Sequence, residues 1–395
     1  TANGWMLANC RFPGRRILKV AQLLPLATPA YLLSATLIDL GSIHAIRIYG
    51  ISWGIVIMSA TTYPYVFLLS TESFSKCGRR QLEACRSLGI GPWNSFRRVA
   101  LPIAMPAIGA GIALMSMEVI NELGAVQLLN IPSISAGIVE SWVAKGNPSE
   151  AIGLALIALL MVIILLCCER VFRSRSRRWT DGVAGGESPE WELKGLRATG
   201  AQLLGFLPPA FTLGIPILWI IVNIDRLHVG LNSELLMLSL RSLALGLAAA
   251  LTTIIAALFI TIAKRWNSEK WMKGIAFLSG VGYAIPGVVL ALGLQSFGGS
   301  PWNLAPIILL IWGYSDRFHA VAKGGLDAAL ERLSPSYDEA ATILGCKWPS
   351  VLKRVHLPLL KGPLAVGSLL VFVDTIKELP LTFVLRPFDF DTLSV

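Results

Sequence analysis

Apolar residues run through this chain in stretches near the roughly 20 residues needed to cross a bilayer, separated by short polar segments rich in arginine and lysine. The stretches lie at about 17 to 40, 51 to 71, 99 to 119, 151 to 168, 203 to 223, 236 to 263, 274 to 297, 303 to 322 and 355 to 375, which predicts nine spans. Threading them alternately puts residues 9 to 19, 72 to 98, 169 to 199, 264 to 273 and 323 to 354 on one side, with most of the basic residues. The other side keeps only Arg47, Lys145, Arg226, Lys377 and Arg386. By the positive-inside rule the basic side is expected to be cytoplasmic.

Composition agrees with a protein that has lipid bilayer as its solvent. The 395 residues are 54% hydrophobic and 15% charged, with mean hydropathy +0.64, where about 25% charged is usual for soluble domains. A net charge of +10 raises nucleic acid as a partner. Because the charge follows the topology, no nucleic acid is expected. Cys10, Cys77, Cys85, Cys167, Cys168 and Cys346 fall in cytoplasmic segments or at that end of a span, where thiols stay reduced, so no disulfide framework is implied.

One pattern occurs twice. Glu83-Ala84-Cys85 leads to Gly89 and then to Leu101-Pro102, and Glu339-Ala340-Ala341 leads to Gly345 and then to Leu357-Pro358. In each copy the glycine lies six residues after the glutamate (89 − 83 and 345 − 339) and the proline nineteen after it (102 − 83 and 358 − 339). The copies are 256 residues apart (339 − 83). Each predicts a short helix, a stop at a glycine in the left-handed conformation, a second short helix and an LP step into a span.

The offset extends further. Pro29 and Pro286, 257 residues apart (286 − 29), are expected to kink the spans that contain them. Glu118 pairs with Asp374 and Glu122 with Glu378, again at 256, so a carboxylate recurs at i and i+4 on one helix face near the outer end of a span. These four acids are expected to face the interface of the two halves and line a pathway. The competing reading is that they are partnered helix-end charges, with Lys377 or Arg386 as the partner of Glu378.

The domain reading is a first half at 1–168, a Gly/Ser/Glu-rich cytoplasmic linker at 169–199 and a second half at 200–395, with both halves cut short at the chain ends. The fold class is therefore an all-α polytopic membrane protein made of two homologous helical-bundle halves. No G-x-x-x-x-G-K-[ST] cradle occurs, so any ATP chemistry belongs to a partner. His44, His228, His319 and His356 are scattered, and surface or packing roles are expected for them.

The doubled motif resembles the EAA loop of ABC-importer permeases, with Val99 and Val355 in place of an isoleucine and Cys85 in place of the second alanine. Tyr63-Pro64-Tyr65-Val66, Phe12-Pro13-Gly14-Arg15-Arg16, Tyr283-Ala284-Ile285-Pro286-Gly287, Lys377-Glu378-Leu379-Pro380 and Arg386-Pro387-Phe388-Asp389-Phe390-Asp391-Thr392-Leu393 look like the fused two-half permeases of ferric-iron importers. The resemblance implies a transport subunit of the bacterial inner membrane and not an enzyme. It further implies two copies of a separate ABC ATPase, which carry ATP and Mg, and a periplasmic substrate-binding protein. No cofactor or metal is expected in this chain. Ferric iron is the substrate implied, with thiamine, polyamine or another small solute as the alternative. A secondary transporter would have no reason for paired EAA-like loops.

Overall fold

The chain is helical because its apolar stretches are rich in Leu, Ile and Ala and must satisfy their own backbone hydrogen bonds in lipid. The computed structural model describes residues 1–76, 83, 85, 87–180, 191–224, 233–267, 269–298, 304–331, 333–334 and 336–395. These fall into two compact units, Thr1–Val229 and Gly230–Val395.

In the first unit, α1 (Ala2–Asn9) packs against α4 (Ile51–Lys76), and α4 packs against α5 (Leu101–Asn121). Between them lie α2 (Arg15–Ala21) and α3 (Ala30–Ile43). After α5 come α6 (Gly124–Leu128), α7 (Ile134–Val139) and α8 (Pro148–Thr180), and α8 covers α5. The unit also takes α9 (Leu196–Pro209) and α10 (Ile215–Val222), although by sequence these follow the linker. Gly205 of α9 packs against Leu18, Gln202 donates to Pro13 O at 3.0 Å and Trp219 Nε1 donates to Asp39 Oδ2 at 2.6 Å.

In the second unit, α11 (Ser233–Trp266), α12 (Lys270–Leu278), α13 (Gly287–Gly298), α14 (Pro306–Glu331), α15 (Ser336–Ile343), α16 (Leu357–Lys377) and α17 (Pro380–Leu385) follow in order. Helices α11, α14 and α16 pack mutually around Tyr314, Leu310, Leu326 and Leu360, all fully buried. The sequence repeat thus becomes a tertiary one. In the first unit a Cβ on Gly111 would lie 2.8 Å from the Val66 backbone; in the second, Gly367, 256 residues on, faces the Ala322 backbone at 3.7 Å. A residue without a side chain lets two membrane helices approach backbone to backbone.

Pro29 and Pro286 do more than kink a helix. Each proline separates two helical segments, bent by 87° in Arg15–Ala27 with Ala30–Ile43 and by 115° in Lys270–Ala284 with Gly287–Gly298. A proline fixes its own φ, offers no N–H and forces the preceding residue out of the helical region. Thr28 and Ile285 are accordingly extended, with ψ 114° and 129°. The stretches expected as single spans at 17 to 40 and 274 to 297 are therefore broken pairs. Among the described residues six helices are long and apolar enough to cross a membrane, or up to eight with each bent pair taken as one, where nine were expected. The remaining stretch, 303 to 322, is α14, which is long enough but carries Asp316 and Arg317 among its apolar residues.

The stretch expected as linker is ordered at both ends. Helix α8 continues to Thr180 through residues that include many arginines, and Trp191–Glu192 pairs in parallel with Cys10–Arg11. The first glycine after Thr180 is Gly182, and residues 181–190 lie outside the described residues.

Candidate functional site: the paired turns and the acids at the helix ends

Both EAA-like turns have the geometry that their glycines predict. Gly89 has φ +68° and Gly345 φ +72°. Behind each glycine the same helix-ending bond closes, from Ile90 N to Cys85 O at 2.9 Å and from Cys346 N to Ala341 O at 3.0 Å. These are the 6→1 bonds of a glycine-terminated helix. Cys85 and Ala341 point inward and are buried, while Glu83, Glu339 and Ala340 are exposed. Leu88 and Leu344, beside the glycines, are 76% and 79% exposed, so each turn presents an acid and a bare leucine together. Ala84 lies outside the described residues.

The step into the next span is also repeated. Single helical turns at Pro92–Ser95 and Trp348–Val351 lead into wide π turns at Phe96–Ala100 and Leu352–His356, and then into α5 and α16. Pro102 and Pro358 cause the widening. Each lacks an N–H for the carbonyl four residues back, at Arg98 and Arg354 inside the π turns, and its ring would clash with that carbonyl in a regular helix. Leu101 and Leu357 are half-buried at the first positions of the spans.

The four acids take local roles to differing degrees. Glu122 Oε1 accepts from Ala125 N at 3.0 Å, and Glu378 Oε1 accepts from Leu381 N at 3.4 Å. The recurring acid therefore caps the short helix that follows each span, α6 or α17. Asp374 pairs with Lys377 at 2.9 Å. Half-buried Glu118 makes no hydrogen bond or ion pair to another described residue.

The partner of Glu378 differs from the two offered by sequence. Lys377 is taken by Asp374 and Arg386 by Asp391, whereas Glu378 Oε2 meets Arg317 Nε at 3.1 Å, both side chains more than nine-tenths buried. Arg317 Nη1 also donates to Ile285 O at 3.0 Å, just before the break at Pro286. Tyr314 OH and Thr382 Oγ1 lie 2.6 Å apart, and Thr382 donates to Glu378 O. Arg317 was missed because it sits inside a stretch that reads as one more span. The signal was available: an arginine within an apolar run calls for an acid.

No solved structure matches the chain. Among curated proteins, it is 29% identical over 99% of its length, and 78% of the relative's, to the "Fe(3+)-transport system permease protein FbpB 2" of Haemophilus influenzae. It is 34% identical over 31% of its length, and 48% of the relative's, to the "Sulfate transport system permease protein CysT" of Escherichia coli. With the "Molybdenum transport system permease protein ModB" of the same species it shares 27% identity over 44% of its length and 86% of the relative's. The family described as "Binding-protein-dependent transport system inner membrane component" matches residues 2–180 and 254–385, which take in both turns and all four acids, and the chain belongs to that family.

Proposed function

We propose that this chain is the permease of an ATP-driven importer for ferric iron, coupled through its two turns to a separate ATPase. The observation that carries the reading is the repeated turn: at a spacing of 256 residues (345 − 89), the same left-handed glycine and 6→1 bond present a glutamate and a bare leucine outward. An exposed leucine beside an acid, built twice on a rigid elbow, fits a partner with a groove and an arginine. Two turns suit two ATPase copies, which would hold ATP and Mg. Closing that dimer would push both turns and rock the two homologous halves, exposing a path to the side where a binding protein delivers substrate. Ferric iron is favoured because the Fe(3+) permease aligns over nearly the whole chain, while the sulfate and molybdenum relatives align over less than half of it. Glu118, Glu122, Asp374 and Glu378 are proposed to give the outer mouth a negative potential that suits a cation.

Cells expressing the chain with its ATPase and binding protein should accumulate ferric iron and neither sulfate nor molybdate. Uptake of an oxyanion alone would move the chain to the alternative substrate class. Uptake that persists without any ATPase would end the coupled reading.

The basic side, with both turns, is proposed to be cytoplasmic. Cys346, half-buried at the second turn, should react with an impermeant maleimide in inverted vesicles and not in intact cells. Asn147→Cys, at an exposed position before α8, should react from the opposite side. Reversed labelling would refute the orientation.

A further inference from the structure

The second turn is anchored through a charged cluster. In the second unit Arg265, on the last turn of α11, reaches across to the end of α14 and the start of α15. Its Nη1 donates to Leu330 O at 2.7 Å, its Nη2 to Leu333 O at 3.2 Å and Ser334 O at 3.3 Å, and its Nε to Asp338 Oδ2 at 2.5 Å. One guanidinium therefore adds hydrogen bonds to three carbonyls around the end of one helix and grips an acid in the first turn of the next. His356, whose side chain is 1% exposed, brings Nε2 to 2.8 Å from the other oxygen of Asp338. Trp266 and Trp348 close over this cluster, the Trp266 ring 5.7 Å from His356 and 5.6 Å from Trp348. Asp338 also lines an apolar groove of about 490 Å³ with Phe259, Ile262 and Cys346, so the Arg265–Asp338 ion pair sits among apolar side chains, where it is stronger than in water.

The same positions in the first unit carry no such cluster. Subtracting 256 from Arg265 gives Asn9, whose Nδ2 makes a long 3.5 Å contact to Phe74 O, the counterpart of Leu330 O. His356 becomes Ala100 and Asp338 becomes Leu82, the latter outside the described residues. At these repeat-related positions the fold keeps one side chain-to-backbone contact, made by an amide at Asn9 and by a guanidinium at Arg265. Asp338 immediately precedes Glu339, so the clamp grips the residue next to the exposed acid of the turn.

We propose that Arg265, Asp338 and His356 are positioning residues that fix the angle of α15 and so hold the second turn as a rigid lever. This rests on the coupling reading above. The proposal assigns no ligand to the cluster; it assigns the residues that hold the second loop in place.

The test uses the importer reconstituted with its ATPase and binding protein, with spin labels at the exposed positions Ile343→Cys and Asn94→Cys. In Asp338→Asn and in Arg265→Asn, the residue of the first unit, hydrolysis stimulated by the binding protein should fall about tenfold, the scale of one charge-assisted contact. The KM for ATP should stay unchanged, because the ATPase still docks. The label at Ile343 should become mobile while that at Asn94 does not, and Asp338→Glu should restore most of the stimulation. A general loss of structure would instead lower ATPase co-purification and loosen both labels, which would overturn the positioning role. So would stimulation within about twofold of the parent with unchanged mobility at Ile343. If the parent protein itself shows no ATPase association, the coupling reading fails and the proposal fails with it; a coupled parent with coupled variants defeats the proposal alone.

Discussion

Valine at both Gly89 and Gly345 is expected to abolish transport while the chain still inserts into the membrane. Both glycines have positive φ, and an added Cβ at either would meet nothing within 4 Å. The cost is therefore in the backbone and not in packing. A β-branched residue in the left-handed region costs about 1–2 kcal/mol at each site. The chain can escape that cost by unwinding the turn, which breaks the 6→1 bond from Cys346 N to Ala341 O and its first-unit counterpart. The glutamate and leucine of each turn then no longer project together. Asparagine enters the left-handed region far more readily, so Gly345→Asn should retain most of the uptake that Gly345→Val loses. Glu83→Ala with Glu339→Ala should match the valine pair in uptake without disturbing the turn itself. Uptake and ATPase co-purification measured across these variants decide the matter: normal transport in the valine pair or in the alanine pair would remove the lever from the mechanism.

Glu378→Gln should be the most destabilising single change among the four acids. Its partner Arg317 is 6% exposed, and breaking a buried pair by neutralising one member leaves an uncompensated charge, at a cost of about 3–5 kcal/mol. Glu122→Gln, at the equivalent position, weakens a helix cap and should cost about 1 kcal/mol, because Thr61 stands where the second unit has Arg317. Adding Arg317→Met to Glu378→Gln should recover much of the loss, since the orphaned cation goes with it. Thermal unfolding in detergent tests the ordering. Equal melting temperatures for Glu122→Gln and Glu378→Gln would show that the ion pair contributes nothing. Iron uptake in the same variants separates the other role of these acids: slowed uptake with unchanged melting in Glu118→Gln would support a field at the outer mouth, whereas lost stability with normal uptake would make the acids structural.

The residues that were legible in the sequence are those whose geometry is settled within a few positions along the chain. Gly89 and Gly345 had to adopt a left-handed turn because nothing else ends a helix six residues after the glutamate and starts another. Pro102 and Pro358 had to open the helix behind them because the missing N–H lies four residues from a fixed carbonyl. The membrane class follows from transfer free energy summed over about 20 residues, which needs no knowledge of neighbours. Tertiary structure decided the rest. Proline at positions 29 and 286 specifies an interruption, but the bends of 87° and 115° depend on what packs against each arm. Whether Glu378 met Lys377, Arg386 or Arg317 depended on the rotation of α14 about its axis, which is set by packing along its whole length. The placement of α9 and α10 on the first unit was hidden for the same reason: Gly205 against Leu18 and Trp219 against Asp39 join residues more than 180 positions apart or nearly so, and no local pattern records which distant surface an apolar helix will cover.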